Sequence, residues 1–244
     1  MADLTYDDFI VPWGRATGAL LRTDRPGQTC PLLSERITPL TDAELRELVG
    51  KNSSRPFVKD ILDQDGVGSC AAEAVTGALM IARAIAGQEH VLLNPWSLYN
   101  TTSGGRDSGS NIGDNLSLAR SQGIAPMSVW PRSRGWRTRL SAEAVEAAKA
   151  FRIDEYYDVL SAREMMTALA LGFPVVYGAS GHAVCKIEHT TMDYGIDLNS
   201  WGKGWKDGGF GVWASYRSIN WGYGAYAVRT PSWTPAIGGV WKKD

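Results

Sequence analysis

A chain of 244 residues with 44% hydrophobic and 21% charged side chains has the length for one large domain or two small lobes around a sizeable core. Its net charge of −1 offers nothing to a nucleic acid or an acidic membrane surface, and no apolar run nears the ~18 residues of a membrane span. Cys30, Cys70 and Cys185 are odd in number and widely spaced. That argues against a disulfide framework and a paired zinc site, and for a reducing compartment.

Residues 1–12 hold several acids but neither a basic leader nor an apolar segment, so an intracellular chain without a secretory signal is expected. Residues 1–54 read as an irregular N-terminal extension, either a brace or a short pro-like segment, punctuated by Pro12, Pro26, Pro31 and Pro39. Within it Thr41 is placed to cap a short helix over residues 42–49, with Leu45 and Leu48 three apart. Lys51, Asn52, Ser53 and Ser54 make a hinge into a helical lobe expected over about residues 55–130. The central helix of that lobe spans residues 70–86 and shows few polar positions. A second helix is expected near residues 93–100, a polar Gly-rich loop over 101–113, and a third helix over 114–122 stopped by Gly123.

The pattern changes at about residue 131, where a β lobe is expected to run to 215. It opens with an Ala/Glu helix over 141–151 and a capping box, Ser161 with Glu164, whose helix ends at Gly172. Short β-branched and aromatic runs follow at 175–177, 183–188, 194–198 and 210–214, the last pair separated by glycine-rich loops, which predicts antiparallel strands. The whole reads as an α+β fold of two lobes with a cleft at their junction. Residues 216–244 form a Trp/Gly-rich C-terminal extension expected to pack on the β lobe.

Cys70 opens the central helix, and a helix N-terminus carries roughly half a positive charge that lowers a thiol's pKa toward the thiolate. Of the three histidines, His90 sits in a loop, while His182 and His189 bound one strand seven residues apart. Strict alternation would put those two on opposite faces, with His182 at the cleft edge as the candidate base. Asn199, at the end of the next strand, is placed to accept an imidazole N–H, with Trp201 covering that bond. Gln64 lies six residues before Cys70, so its carboxamide can join the Cys70 N–H in holding an oxyanion, a donor worth ~3 kcal/mol. Thiol, imidazole and carboxamide are the set a Cys-His-Asn hydrolase needs.

These residues, taken in order, resemble the papain-like cysteine peptidases over roughly residues 55–215. The spacing from Gln64 to Cys70 is the family's, and Gly109, Ser110, Asn111, Ile112 and Gly113 are similar to its Gly-rich cleft segment. Ser128-Val129-Trp130-Pro131 and the run 168–176 also resemble family elements. The best matches are His182-Ala183-Val184 and Asn199-Ser200-Trp201-Gly202-Lys203-Gly204-Trp205, followed by Gly208-Gly209-Phe210. The resemblance implies a cysteine endopeptidase that cleaves a peptide or protein through a thioester acyl-enzyme. Cys70, His182, Asn199 and Gln64 would be catalytic, with Gly109, Ser110, Asn111, Gly181 and Trp201 near the substrate, and no metal or organic cofactor. The chain departs from the pattern at Ala71 (usually aromatic), at Val67 (usually Cys), in a short segment between Pro174 and His182, and in having no long helical propeptide. Two alternatives stay open. One is related chemistry on an isopeptide or amide, or acyl transfer. The other is a structural or binding module, for example a viral or phage particle component with vestigial or single-use activity, using residues 213–241 as an assembly surface.

Overall fold

The computed structural model describes residues 16–229. Its first half carries strand β1 (Ala19–Leu20), helices α1 (Leu33–Arg36), α2 (Asp42–Leu48), α3 (Cys70–Ile85) and α4 (Trp96–Thr102), then β2 (Ser110–Asn111) and α5 (Ile112–Ser121). The second half holds α6 (Ala142–Ala148), β3 (Glu155–Asp158), α7 (Ala162–Ala170), β4 (Val175–Ala179), β5 (His182–His189), β6 (Gly195–Leu198), β7 (Phe210–Gly211) and β8 (Ala225–Arg229).

Local chemistry sets several of these limits. The Thr41 hydroxyl accepts from Glu44 N while the Glu44 carboxylate accepts from Thr41 N at 2.8 Å, closing a capping box on α2. Asn111 Oδ1 accepts from Asp114 N at 2.7 Å, so α5 starts at Ile112, two residues before the expected position. Ser180 and Gly181 both have positive φ, 52° and 75°, and join β4 to β5 as a two-residue hairpin turn. The tightness of that turn accounts for the short segment ahead of His182.

Six strands make one antiparallel sheet in the order β3-β8-β4-β5-β6-β7. Side chains alternate across it. Val176, Ala183, Cys185 and Ile187 face a core built on α3, with Val75, Ala78 and Leu79. Val175, Tyr177 and Val184 face a second core with Leu33, Ile37 and Leu45 from α1 and α2 and Leu169 from α7.

Residues 33–45 pack in the second core, and β8 lies between β3 and β4. Residues 230–244, with Trp233 and Trp241 of the supposed assembly surface, lie outside the described residues. Two sequence expectations need correction. The strand at 210–214 shrinks to Phe210–Gly211, because the Trp213 N–H goes to the Asp197 carboxylate at 2.8 Å instead of to a neighbouring strand. Last, the register of β5 slips between Lys186 and Glu188. Lys186 and His189 both meet Tyr216, so alternation does not carry from His182 to His189.

Candidate active site

The site assembles where the start of α3 meets the start of β5. Cys70 is the first residue of α3 and is fully buried, with the backbone of Ala183 reaching its sulfur. The loop before it turns tightly through Asp65 and Gly66, at φ 50° and 74°. Gly68 N donates to Asp107 Oδ1 at 2.9 Å, and the same oxygen takes the Tyr99 hydroxyl at 2.7 Å. Gln64 bridges the two halves of the molecule. Its backbone N–H donates to the Ser200 carbonyl at 2.9 Å, and its Oε1 accepts from Ser200 Oγ at 2.8 Å. Its Nε2 donates to the Val67 carbonyl at 2.7 Å.

His182 donates from Nε2 to Asn199 Oδ1 at 2.8 Å, and that oxygen also accepts from Ser200 N at 2.7 Å. With Nε2 protonated, Nδ1 carries the lone pair; it is buried and has no hydrogen-bond partner among the described residues. Trp201 stacks on the imidazole at 4.5 Å and 25°, and Trp213 meets its edge at 5.0 Å and 73°. Two indoles thus hold the ring and keep water from its bond to Asn199.

Residues 16–20 of the chain run through this cleft. β1 pairs parallel with β2, Ser110 N donates to the Gly18 carbonyl at 2.9 Å, and Ala19 N donates to the Gly181 carbonyl at 2.9 Å. Gln64 Nε2 donates to the Ala16 carbonyl at 3.0 Å and Trp201 Nε1 reaches it at 3.4 Å. The fit is made by glycine. A Cβ on Gly18 would stand 2.1 Å from the Gly68 carbonyl oxygen, and one on Gly109 would stand 2.1 Å from the Gly18 oxygen. Gly109, Ser110, Gly181 and Trp201, expected to touch a substrate, therefore touch the chain itself. The Asn111 side chain is spent on capping α5. Just beyond the covering strand, Arg22 forks onto both Asp158 oxygens at 2.8 and 2.9 Å, fixing the segment to β3.

Burial decides the charge state. It pushes the Cys70 thiol up to about 11, although backbone N–H groups of Ala183, Gly18 and Ala71 pull the other way. It pushes the His182 imidazole down to about 4, against its bond to Asn199. At neutral pH the covered site therefore holds a thiol and a neutral imidazole. The thiolate expected from the helix N-terminus does not form here, because desolvation outweighs half a charge.

Other residues escaped the sequence reading. The covering strand at residues 19–20 lies within the extension expected to be a brace or a short pro-like segment. Ser200, which holds Gln64, carries no signal of that role in the sequence. Glu73 is fully buried one turn into α3, where burial lifts its carboxyl to about 7 despite Arg132 beside it. Its only signal was a lone acid in the apolar run after Cys70.

No family model matches the chain, and no curated protein matches it in sequence. Solved structures do match. Xylellain, a cysteine protease from Xylella fastidiosa, aligns with TM-score 0.70 and 18% identity over 91% of this chain and 99% of its own. Digestive procathepsin L2 from Tenebrio molitor larval midgut aligns with TM-score 0.64 and 19% identity over 93% of this chain and 81% of its own. A Carica candamarcensis cysteine protease in complex with E-64 aligns with TM-score 0.56 and 18% identity over 72% and 96%. The chain has the α+β fold of the papain-like cysteine proteases, with its long helix starting at Cys70.

Proposed function

We propose that the chain is a cysteine peptidase, described here in a covered state. One observation carries the reading: a peptide segment already lies along the cleft, with the Ala16 carbonyl on Gln64 Nε2 and the Gly18 backbone against the Cys70 thiol. The cleft thus has the shape and the donors for an extended polypeptide.

When residues 16–20 leave, water returns and the burial that keeps both groups neutral is relieved. The Cys70 proton passes to Nδ1 of His182, whose Nε2–H stays on Asn199. The thiolate attacks a substrate carbonyl carbon, and the oxyanion takes hydrogen bonds from Gln64 Nε2 and the Cys70 N–H. The imidazolium Nδ1–H protonates the leaving amine as the C–N bond breaks, leaving a thioester on Cys70. His182 then takes a proton from water, which attacks the thioester and releases the acid and the thiol.

The test is labelling with the epoxide E-64, read by intact mass and peptide mapping, on the full chain and on Gly18→Val, whose side chain cannot fit against Gly68. We expect stoichiometric labelling of Gly18→Val at Cys70 near neutral pH, slow labelling of the parent chain, and none of Cys70→Ala. Cys70→Ala should fold normally, since Ala is a good helix former. A second reading is favoured by the full burial of Cys70: a binding or structural module with this fold. Failure of Gly18→Val to label or to cleave any member of a peptide library would sink the peptidase and leave the module.

A further inference from the structure

Arg132 and Glu73 take no part in the steps above, but together they grip both ends of the loop that performs them. Arg132 Nη2 donates to both Glu73 oxygens, at 2.8 and 2.7 Å. Its Nη1 donates to the Asp63 carbonyl at 2.5 Å, and its guanidinium lies 4.8 Å over Trp96. Glu73 Oε1 also accepts the Ser69 hydroxyl at 3.1 Å. Asp63 immediately precedes Gln64, and Ser69 immediately precedes Cys70. A single pair, a buried carboxylate and a partly exposed guanidinium, therefore ties down the entry and the exit of the segment that supplies both oxyanion donors.

That segment needs an outside hold. Asp65 stands at φ 50°, a conformation that costs a non-glycine residue energy unless its surroundings impose it. Stability alone is a poor reason for the pair, since burying the Glu73 charge against Arg132 is often no better than burying an apolar side chain of the same size. A guanidinium also does what an ammonium cannot, forking onto a carboxylate while a second nitrogen reaches a carbonyl.

We infer that Arg132 and Glu73 are positioning residues that set the distance between Gln64 Nε2 and the Cys70 N–H, and so the fit of the oxyanion. The inference rests on the peptidase reading. Neither residue touches substrate in it. Their effect falls on the transition state and therefore on kcat, with KM little changed.

The experiment uses the full chain carrying Gly18→Val as parent and a fluorogenic peptide amide as substrate. Glu73→Leu together with Arg132→Met removes both charges and keeps the volume apolar. In that double variant we expect kcat to fall roughly hundredfold, the loss typical of a misplaced oxyanion donor. Alkylation of Cys70 by iodoacetamide, which needs the thiolate but no oxyanion hole, should run at the parent's rate. Arg132→Lys keeps the charge without the fork and should lose a smaller part of kcat. If the double variant does not fold, Arg132→Lys and Arg132→Gln decide by the same split. Unchanged kcat in folded variants, or a loss of kcat matched by an equal loss of alkylation, overturns the inference and leaves the peptidase standing. Absence of turnover in the parent overturns both.

Discussion

Asn199 is the hydrogen-bond partner of His182 at Nε2, in a place closed to water by Trp201 and Trp213. Removing it leaves a buried N–H unsatisfied, at a cost of about 1–3 kcal/mol. Asn199→Ala is therefore expected to lower kcat/KM tenfold to hundredfold in the uncovered chain, measured with the same peptide amide, and to free the imidazole to rotate. A variant with unchanged kcat/KM would show that the indoles alone hold the ring. At this scale much of the site could be read from the sequence. Cys70, His182, Asn199 and Gln64 stand in motifs with fixed spacing; in the structure His182 bonds to Asn199, Gln64 to Ser200, and the Ala183 backbone meets the Cys70 sulfur. Arg132 could not be found that way, because its partners Glu73 and Asp63 lie 59 and 69 positions away and only the folded chain brings them within reach.

The covering strand is an element whose hold depends on the charge it forbids. His182 sits at about 4 beneath it, against an ordinary 6.5. A depressed value means that the part of that burial the strand supplies favours the cover above 6.5 and ceases to do so as pH falls through 4. Cys70 sits at about 11 against an ordinary 9, and the sign reverses: the cover is favoured below 9 and weakens as pH rises through 11. Hydrogen exchange at Ser110 N–H, which donates to Gly18, should show greatest protection between about pH 6.5 and 9 and falling protection on either side. A flat profile would mean that the strand stays in place whatever the site's charge. Gly18→Val should remove the protection at every pH. The helices α2, α3 and α7 were legible from caps and apolar spacing. The two-residue strands β1 and β2 were not, since a pairing that short leaves no period in the sequence.

In the whole molecule, the sheet closes only with its last described strand. β8 fills the gap between β3 and β4, and Tyr226, Ala227 and Val228 are buried there. A chain ending at residue 215, where composition suggested a domain limit, would leave both neighbours with unpaired edges and open both cores. It is expected not to fold cooperatively, as judged by a lost thermal transition and rapid proteolysis; a cooperative transition would show β8 to be dispensable. The sequence concealed this because Trp- and Gly-rich stretches read as turns, and a strand's place in a sheet is set by pairings far along the chain. The order in which the parts appear has a consequence for the cell that makes them. Translation delivers the covering segment at residues 16–20 well ahead of Cys70, and the sheet that holds His182 is completed only at 225–229. By the time a ribosome has supplied enough chain to complete the surroundings of Cys70 and His182, the occupant of the cleft has long been waiting. Any nascent chain long enough to complete the sheet around His182 already carries the segment that covers Cys70.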